Sequence, residues 1–224
     1  MLICCISDTH NKLNQIELPD ADLLVHAGDW TLQGNLSELA NFDRHLGKLK
    51  SKYKYGIVTT PGNHDLSLEL NPSLRKLIAN ATVLIDEEIV INGIKFYGSP
   101  WQNWFYSWAF NFPESDLDDG ETVATRKYSQ IPDDVNVLIS HGPPYNFGDK
   151  VNQTSIKNRN KFHVGSTALA KRINELKQLK LVCCGHIHEN YSKLESNGIT
   201  FVNASILNDE YVVTNKPWLV EINV

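Results

Sequence analysis

The sequence predicts an α/β fold in one domain, a sandwich of mixed sheets rather than a purely doubly wound sheet. Three observations predict it. Short apolar runs alternate with helix-period segments through the first half of the 224 residues. Hairpin signals enter later and break that alternation. No repeat, low-complexity tract or Pro/Gly/Ser-rich linker divides a length that suits one domain, or at most two small ones.

Each element has its own signal. Leu2–Ile6 is a short apolar run closed by a polar loop, the pattern of a fully buried strand, and Asp22–Ala27 is a second. Asn35, with Glu38 three residues on, resembles a capping box. Leu36, Leu39, Phe42, Leu46 and Leu49 follow at helical spacing, so a helix spans roughly 36–50. Lys48, Lys50, Lys52 and Lys54 fall at its end, where cations suit a helix C-terminus. Tyr55–Thr60 is a strand closed by Pro61-Gly62. Asn71-Pro72 places a cap and a first-position proline before a short helix, Ser73–Ala79. Glu88–Ile91 and Ile94–Gly98 flank Asn92-Gly93, the strongest short hairpin signal. Val135–Ser140 and Leu181–Cys184 are strands, and between them Ser166 caps a helix carrying Leu169, Ile173 and Leu176. Ile199–Val202 and Trp218–Ile222 are the last strands.

Composition excludes several classes. With 42% hydrophobic and 21% charged residues, a wholly disordered chain is excluded. A net charge of -5 lacks the basic footprint of a dedicated nucleic-acid binder, so no long nucleic acid is expected as a partner. No apolar run approaches the ~18 residues of a membrane span, so no membrane is expected either. Leu2–Ile6 is too short for a signal peptide and lacks a basic flank. The four cysteines form two adjacent pairs, Cys4-Cys5 and Cys183-Cys184, with neither C-x-x-C nor zinc-finger spacing. Buried free thiols and a cytoplasmic location are expected.

The histidines are the informative residues. Five strands run straight into short polar loops: Ser7-Asp8-Thr9-His10, Gly28-Asp29, Gly62-Asn63-His64-Asp65, His141-Gly142-Pro143-Pro144 and Gly185-His186-Ile187-His188. Parallel strands present their carboxyl ends together, and ligands bind in that crevice. Two Asp, one Asn and five His would therefore converge. Mixed oxygen and imidazole donors suit Mn, Fe, Co, Ni or Zn. Eight groups are too many for one ion and suit a pair about 3.5–4 Å apart, sharing a carboxylate.

The ordered set Asp8-Thr9-His10, Gly28-Asp29, Gly62-Asn63-His64, His141-Gly142 and Gly185-His186-Ile187-His188 resembles the calcineurin-like metallophosphoesterases. The segments GSPWQNWFYSWAFN (98–111), SHGPP (140–144), CGHIHENY (184–191) and VNAS (202–205) are similar to the metallophosphoesterase-domain-containing branch. The resemblance implies one such domain over residues 1–224, folded as a four-layer αββα sandwich of two mixed sheets flanked by helices. It implies a dinuclear, metal-dependent phosphodiesterase acting on a small nucleotide-like diester of the cyclic nucleotide class, by in-line attack of a metal-bridging hydroxide. It assigns Asp8, His10 and His188 to one metal, Asn63, His141 and His186 to the other, and Asp29 as the bridge. His64 becomes the non-ligand histidine that donates a proton to the leaving alkoxide, and Asn63 and His64 face the substrate. Manganese is the expected metal, with Fe, Zn, Co, Ni or Mg as substitutes.

One departure bears on the chemistry. Protein phosphatases of this class continue G-D-x-x-D-R-G, whereas the chain reads Gly28-Asp29-Trp30-Thr31-Leu32-Gln33-Gly34. The second Asp and the Arg are absent, which favours a diesterase over a phosphoprotein phosphatase. Asp65 is the candidate to orient the His64 imidazole, a turn residue being the other reading. His26, His45 and His163 match no motif and read as packing or surface residues. Trp101, Trp104, Phe105, Trp108 and Phe112 sit at helical spacing and read as a short helix or loop packed on the sandwich; the functional alternative is that Trp101 or Trp104 stacks on a nucleobase. Lys150, Lys157, Arg159 and Lys161 lie in a stretch without acids that reads as an exposed loop, with a basic lid as the alternative. A phosphomonoesterase of the same fold, and a non-catalytic metal- or nucleotide-binding scaffold, are the competing functions.

Overall fold

In the computed structural model, which describes residues 1–113, 122–152 and 162–223, the chain runs β1 (Leu2–Ile6), β2 (Leu23–His26), α1 (Leu36–Leu49), β3 (Ile57–Thr59), α2 (Leu66–Leu70), β4 (Thr82–Val83), β5 (Glu87–Ile91), β6 (Ile94–Ser99), α3 (Val123–Tyr128), β7 (Val137–Ser140), α4 (Thr167–Glu175), β8 (Leu181–Cys184), β9 (Ser192–Ser196), β10 (Ile199–Asn203) and β11 (Trp218–Glu221). The first sheet has the order β11-β1-β2-β3-β4 and the second β5-β6-β7-β8-β10-β9. Neighbours from β1 to β4 are parallel, as are β6, β7, β8 and β10, while β11, β5 and β9 join antiparallel at the edges.

Strand alternation builds the layers. Ile3, Cys5, Leu23, Val25 and Val58 pack between the sheets against Phe96, Val137, Ile139, Leu181, Cys183 and Val202. Cys4, Ile6, Leu24 and Ile57 point the other way, onto Leu39, Phe42 and Leu46 of α1. Tyr97, Leu138, Val182 and Phe201 cover the far face of the second sheet, under Ala124 and Tyr128 of α3 and Leu169 and Ile173 of α4. The result is the four-layer αββα sandwich, and period-2 alternation explains why adjacent cysteines serve different layers.

Those cysteines are free and buried. Burial pushes the Cys4 thiol up to about 12 and raises Cys184, and Cys183 is raised by its hydrogen bond with the Cys5 thiol and then by burial. The thiolate is the reactive form, so a disulfide-exchange dye should label none of the four in native protein and all four in urea. Labelling without unfolding would contradict this packing.

Local signals held with informative exceptions. The Asn35 side chain accepts from the Ser37 and Glu38 amides at 3.1 Å each, and Glu38 accepts from the Asn35 amide at 3.2 Å. Asn92-Gly93 turns β5 into β6 with φ of 51° and 80°. A second Asn-Gly pair, Asn197-Gly198, turns β9 into β10 by the same geometry, with φ of 51° and 75°. The segment after Asn71 is 3₁₀, Pro72–Leu77, rather than Ser73–Ala79; it buries none of its residues and so lacks the packing that sustains an α-helix. The aromatic stretch is a loop. The Gln102 amide donates to the Phe110 carbonyl at 3.1 Å and Phe112 returns a bond to Gln102 at 3.0 Å. Of the basic stretch, Lys157, Arg159 and Lys161 lie outside the described residues. No helix among the described residues is long and apolar enough to cross a membrane.

Candidate metal centre

β1, β2 and β3 in one sheet, and β7 and β8 in the other, open their polar loops at a common edge. The sheets are joined there. The Ser7 amide donates to the Ala204 carbonyl at 2.8 Å and the Ile206 amide to the Ser7 carbonyl at 3.0 Å. Asp8, His10, Asp29 and His186 adopt left-handed backbone, with φ of 53°, 38°, 57° and 67°. Such strain in non-glycine residues persists where surrounding structure over-determines it, typically at functional sites. Two glycines permit the crowding. A Cβ on Gly62 would fall on the Asp29 carboxylate and the His141 ring, and one on Gly185 would fall on Asp8 and the Ser7 hydroxyl.

The donor atoms gather in two groups. His188 Nε2 lies 3.3 Å from Asp8 Oδ1 and 3.3 Å from His10 Nε2. Asn63 Oδ1 lies 2.9 Å from His141 Nε2 and 2.8 Å from His186 Nδ1. Asp29 reaches both, with Oδ2 3.6 Å from His10 Nε2 and Oδ1 3.5 Å from His141 Nε2. Candidate ligand sets within this cluster are Asp8 with His10 and His188, Asp8 with Asp29 and His141, and His10 with Asp29 and His64.

Hydrogen bonds behind the rings decide which nitrogen faces the cluster. The Nδ1 atoms of His10, His141 and His188 meet the Thr31, Ala27 and Asn208 carbonyls at 3.0, 2.9 and 2.9 Å. A carbonyl can only accept, so each Nδ1 carries hydrogen and each Nε2 presents a lone pair when the ring is neutral, the usual arrangement behind a metal-ligating histidine. Burial lowers His10 and His141, and lowers His186 to about 3, so these rings are neutral. Burial lifts Asp29 to about 7, and lifts Asp65 to about 7 with help from the facing Asp29 charge. Burial opposes the Asp8 charge too, but its bond to His188 and the positive charge on that ring hold its carboxyl well below the usual range. Burial likewise opposes a charge on His188, and its bond to Asp8 lifts it to about 9 instead. Neutral imidazoles turned toward buried carboxylates fit a pair of divalent cations, which would supply the missing positive charge.

His64 sits beside this cluster. Its Nδ1 is 2.9 Å from the Leu32 carbonyl, and its ring stacks on Trp108 with centroids 4.0 Å apart. Ala109 donates its amide to the Asn63 carbonyl at 3.2 Å, which hooks the aromatic loop over the site. The indole against His64 is therefore that of Trp108. Trp101 is held elsewhere: its Nε1 donates to Asp86 at 2.8 Å, its ring stacks on Phe112, and Lys127 lies 4.3 Å above it. The segment takes the loop form of the two that its spacing allowed, and spacing alone could not tell which indole reaches the site.

Asp65 also differs from expectation. Its carboxylate does not meet the imidazole. It accepts from the amides of Asp29 at 3.1 Å, Trp30 at 3.3 Å, Thr31 at 3.2 Å and Gly62 at 2.8 Å, and from the Thr31 hydroxyl at 2.8 Å. Asp65 thus staples the Asp29 loop to the Asn63 loop, and Leu32 orients His64. Asp65→Asn turns an amide NH2 group, itself a donor, toward these donors, at about 1–3 kcal/mol for each donor left without an acceptor. A lower melting temperature for metal-free protein is expected, and an unchanged one would rule this staple out.

The unmatched histidines have structural places. Buried His26 meets the Thr9 hydroxyl at 2.9 Å through Nε2, and burial lowers it to about 3. His163 pairs with Asp149 at 2.7 Å, and His45 lies half-buried on α1. Tyr211 has no motif in the sequence, yet its ring centroid lies 4.7 Å from that of His10. A cleft of about 480 Å³ opens over Asp29, Asn63, His64, His186 and His188, walled by Trp104, Phe105, Tyr106 and Tyr211.

Paired cation sites serve the hydrolysis of phosphate esters, and the class here is the metal-dependent phosphoric ester hydrolases. The chain belongs to the calcineurin-like phosphoesterase family, whose model matches residues 1–190. It is 34% identical over 242 residues to Metallophosphoesterase domain-containing protein 1 of Homo sapiens and of Mus musculus, covering 97% of this chain and 70% of each relative. A UPF0046 protein of Caenorhabditis elegans is 32% identical over 251 residues, covering 98% of this chain and 59% of that protein. A solved crystal structure at 15% identity covers 90% of this chain and 89% of its own with a TM-score of 0.62, which shows the shared fold.

Proposed function

We propose that the chain is a dinuclear phosphodiesterase acting on a small nucleotide-like diester of the cyclic nucleotide class. One observation carries this reading. The cleft over the cluster is walled by exposed aromatic rings, and among the described residues no Lys or Arg lines it. A diester with one negative charge needs less cationic contact than a doubly charged monoester. Flat aromatic walls suit a base or aryl ester, with Phe105 better placed than Trp101 to receive it.

Asp8, His10 and His188 would hold one cation, Asn63, His141 and His186 the other, and Asp29 both. When bound, the pair would acidify water and neutralise charge on the phosphate oxygens. The chain's own residues supply the rest. The Leu32 carbonyl accepts from Nδ1 of His64 and fixes the ring, so that Nε2 faces the cleft and, in the protonated imidazolium, donates its proton to the leaving alkoxide. The Asn63 amide adds a contact to the phosphate. Manganese is the cation we favour for this mixed oxygen and nitrogen set. The buried free thiols favour the cytoplasm.

The test compares bis(p-nitrophenyl) phosphate with p-nitrophenyl phosphate on manganese-reconstituted protein, followed by a panel of cyclic nucleotides. A higher kcat/KM for the diester is expected. A preference for the monoester would replace this reading with a phosphomonoesterase. Turnover of neither, with His64→Ala behaving as wild type, would make the protein a scaffold.

A further inference from the structure

We infer that Tyr211 is a positioning residue for His64, holding Nε2 of that imidazole through its hydroxyl until a leaving group takes its place. The inference rests on the reading of His64 as proton donor. Three observations carry it. The Tyr211 hydroxyl lies 3.4 Å from His64 Nε2, at the opposite end of the ring from the 2.9 Å contact between Nδ1 and the Leu32 carbonyl. Those two contacts lie along the ring's length, and Trp108 covers one face with centroids 4.0 Å apart. No other hydrogen-bond partner for Nε2 is found among the described residues, the donor atoms of His10 and Asp29 lying farther off within 4.8 Å, so the phenol holds the nitrogen that must reach the substrate.

The second observation is how Tyr211 is held. Its φ of 59° is a left-handed conformation that a bulky side chain rarely adopts. The turn before it over-determines that conformation. The Tyr211 amide donates to the Asn208 carbonyl at 2.9 Å, the Asn208 side chain accepts from the Glu210 and Val212 amides at 3.1 and 2.8 Å, and Lys12 Nζ caps the Tyr211 carbonyl. The third is that the Asn208 carbonyl also receives His188 Nδ1 at 2.9 Å. One turn therefore sets the phenol and a candidate ligand ring together, which ties the proton donor's position to that of the cluster. Tyr211 also walls the cleft, so an entering ester meets the phenol and Nε2 at once.

Tyr211→Phe removes the hydroxyl and keeps the ring. With two metals retained and KM little changed, kcat should fall by about ten- to a hundredfold, a part of the roughly 10²- to 10⁴-fold that a positioned proton donor supplies. The loss should be larger for a nucleoside cyclic phosphate, whose leaving group is a sugar alkoxide, than for bis(p-nitrophenyl) phosphate, whose leaving group needs no proton. In the His64→Ala background the same change should cost nothing further. An independent readout uses zinc-loaded protein: the ¹⁵N resonance of His64 Nε2 should move in Tyr211→Phe while Nδ1 stays. Wild-type kcat, a loss that adds to that of His64→Ala, or an unmoved Nε2 resonance would overturn the inference. No diester turnover by the wild type would instead overturn the proposed function, and the resonance test would still decide this contact.

Discussion

Asp29→Asn should retain the fold and lose the metal pair. The substitution keeps the size of the side chain and an oxygen able to accept the His64 amide, which Asp29 Oδ1 receives at 2.8 Å. It removes the charge and one of the two oxygens that face the two donor groups, 3.6 Å from His10 Nε2 and 3.5 Å from His141 Nε2. A carboxylate can hold two cations at once; a carboxamide offers one oxygen and a nitrogen that repels them. Metal content per chain should therefore fall. The stabilisation that added manganese gives the wild type, about 2.7 kcal/mol at a hundred times the dissociation constant, should largely vanish. The metal-free variant should melt no lower than metal-free wild type, because burial already opposes the Asp29 charge. Thermal melts with and without manganese check both halves. A wild-type metal-induced shift would remove Asp29 from the bridging position.

His64→Ala should do the reverse, keeping both metals and losing about 10²- to 10⁴-fold in turnover of esters with poor leaving groups. The distinction has content because distance alone also groups His64 with His10 and Asp29. A ligand and a proton donor behave differently on deletion. Loss of the donor leaves metal content intact and spares substrates whose leaving group departs unprotonated. Loss of a ligand lowers metal content and slows every substrate alike. Metal analysis beside kcat on an alkyl and a nitrophenyl ester separates the two.

Much of the site was legible because its residues belong to short loops closing buried strands. Asp8, His10, Asn63, His186 and His188 are each within a few residues of an apolar run, so strand order alone brings them together. The strands themselves announced their ends, as Leu181–Cys184 shows, with identical bounds in sequence and structure. Legibility failed where position depends on a turn rather than on a strand. Trp101 and Trp108 are equivalent by spacing, but the bond from the Gln102 amide to the Phe110 carbonyl closes a loop that sends only Trp108 to His64. Asp65 adjoins His64 in sequence, yet its side chain turns back toward the Asp29 loop while the imidazole faces the cleft. Tyr211 reaches the site through the strained turn after β10, which carries no motif. The edge strand β9 was missed because Ser192–Ser196 is polar and largely exposed. The Asn197-Gly198 pair that follows it was a usable signal.

The proposed chemistry requires a metal pair bridged by Asp29, with His64 outside it. Anomalous diffraction from a manganese-soaked crystal tests that most directly. Two peaks are expected, one among Asp8, His10 and His188 and one among Asn63, His141 and His186, with Asp29 touching both. A single peak, or a manganese ion bonded to His64 Nε2, would contradict it.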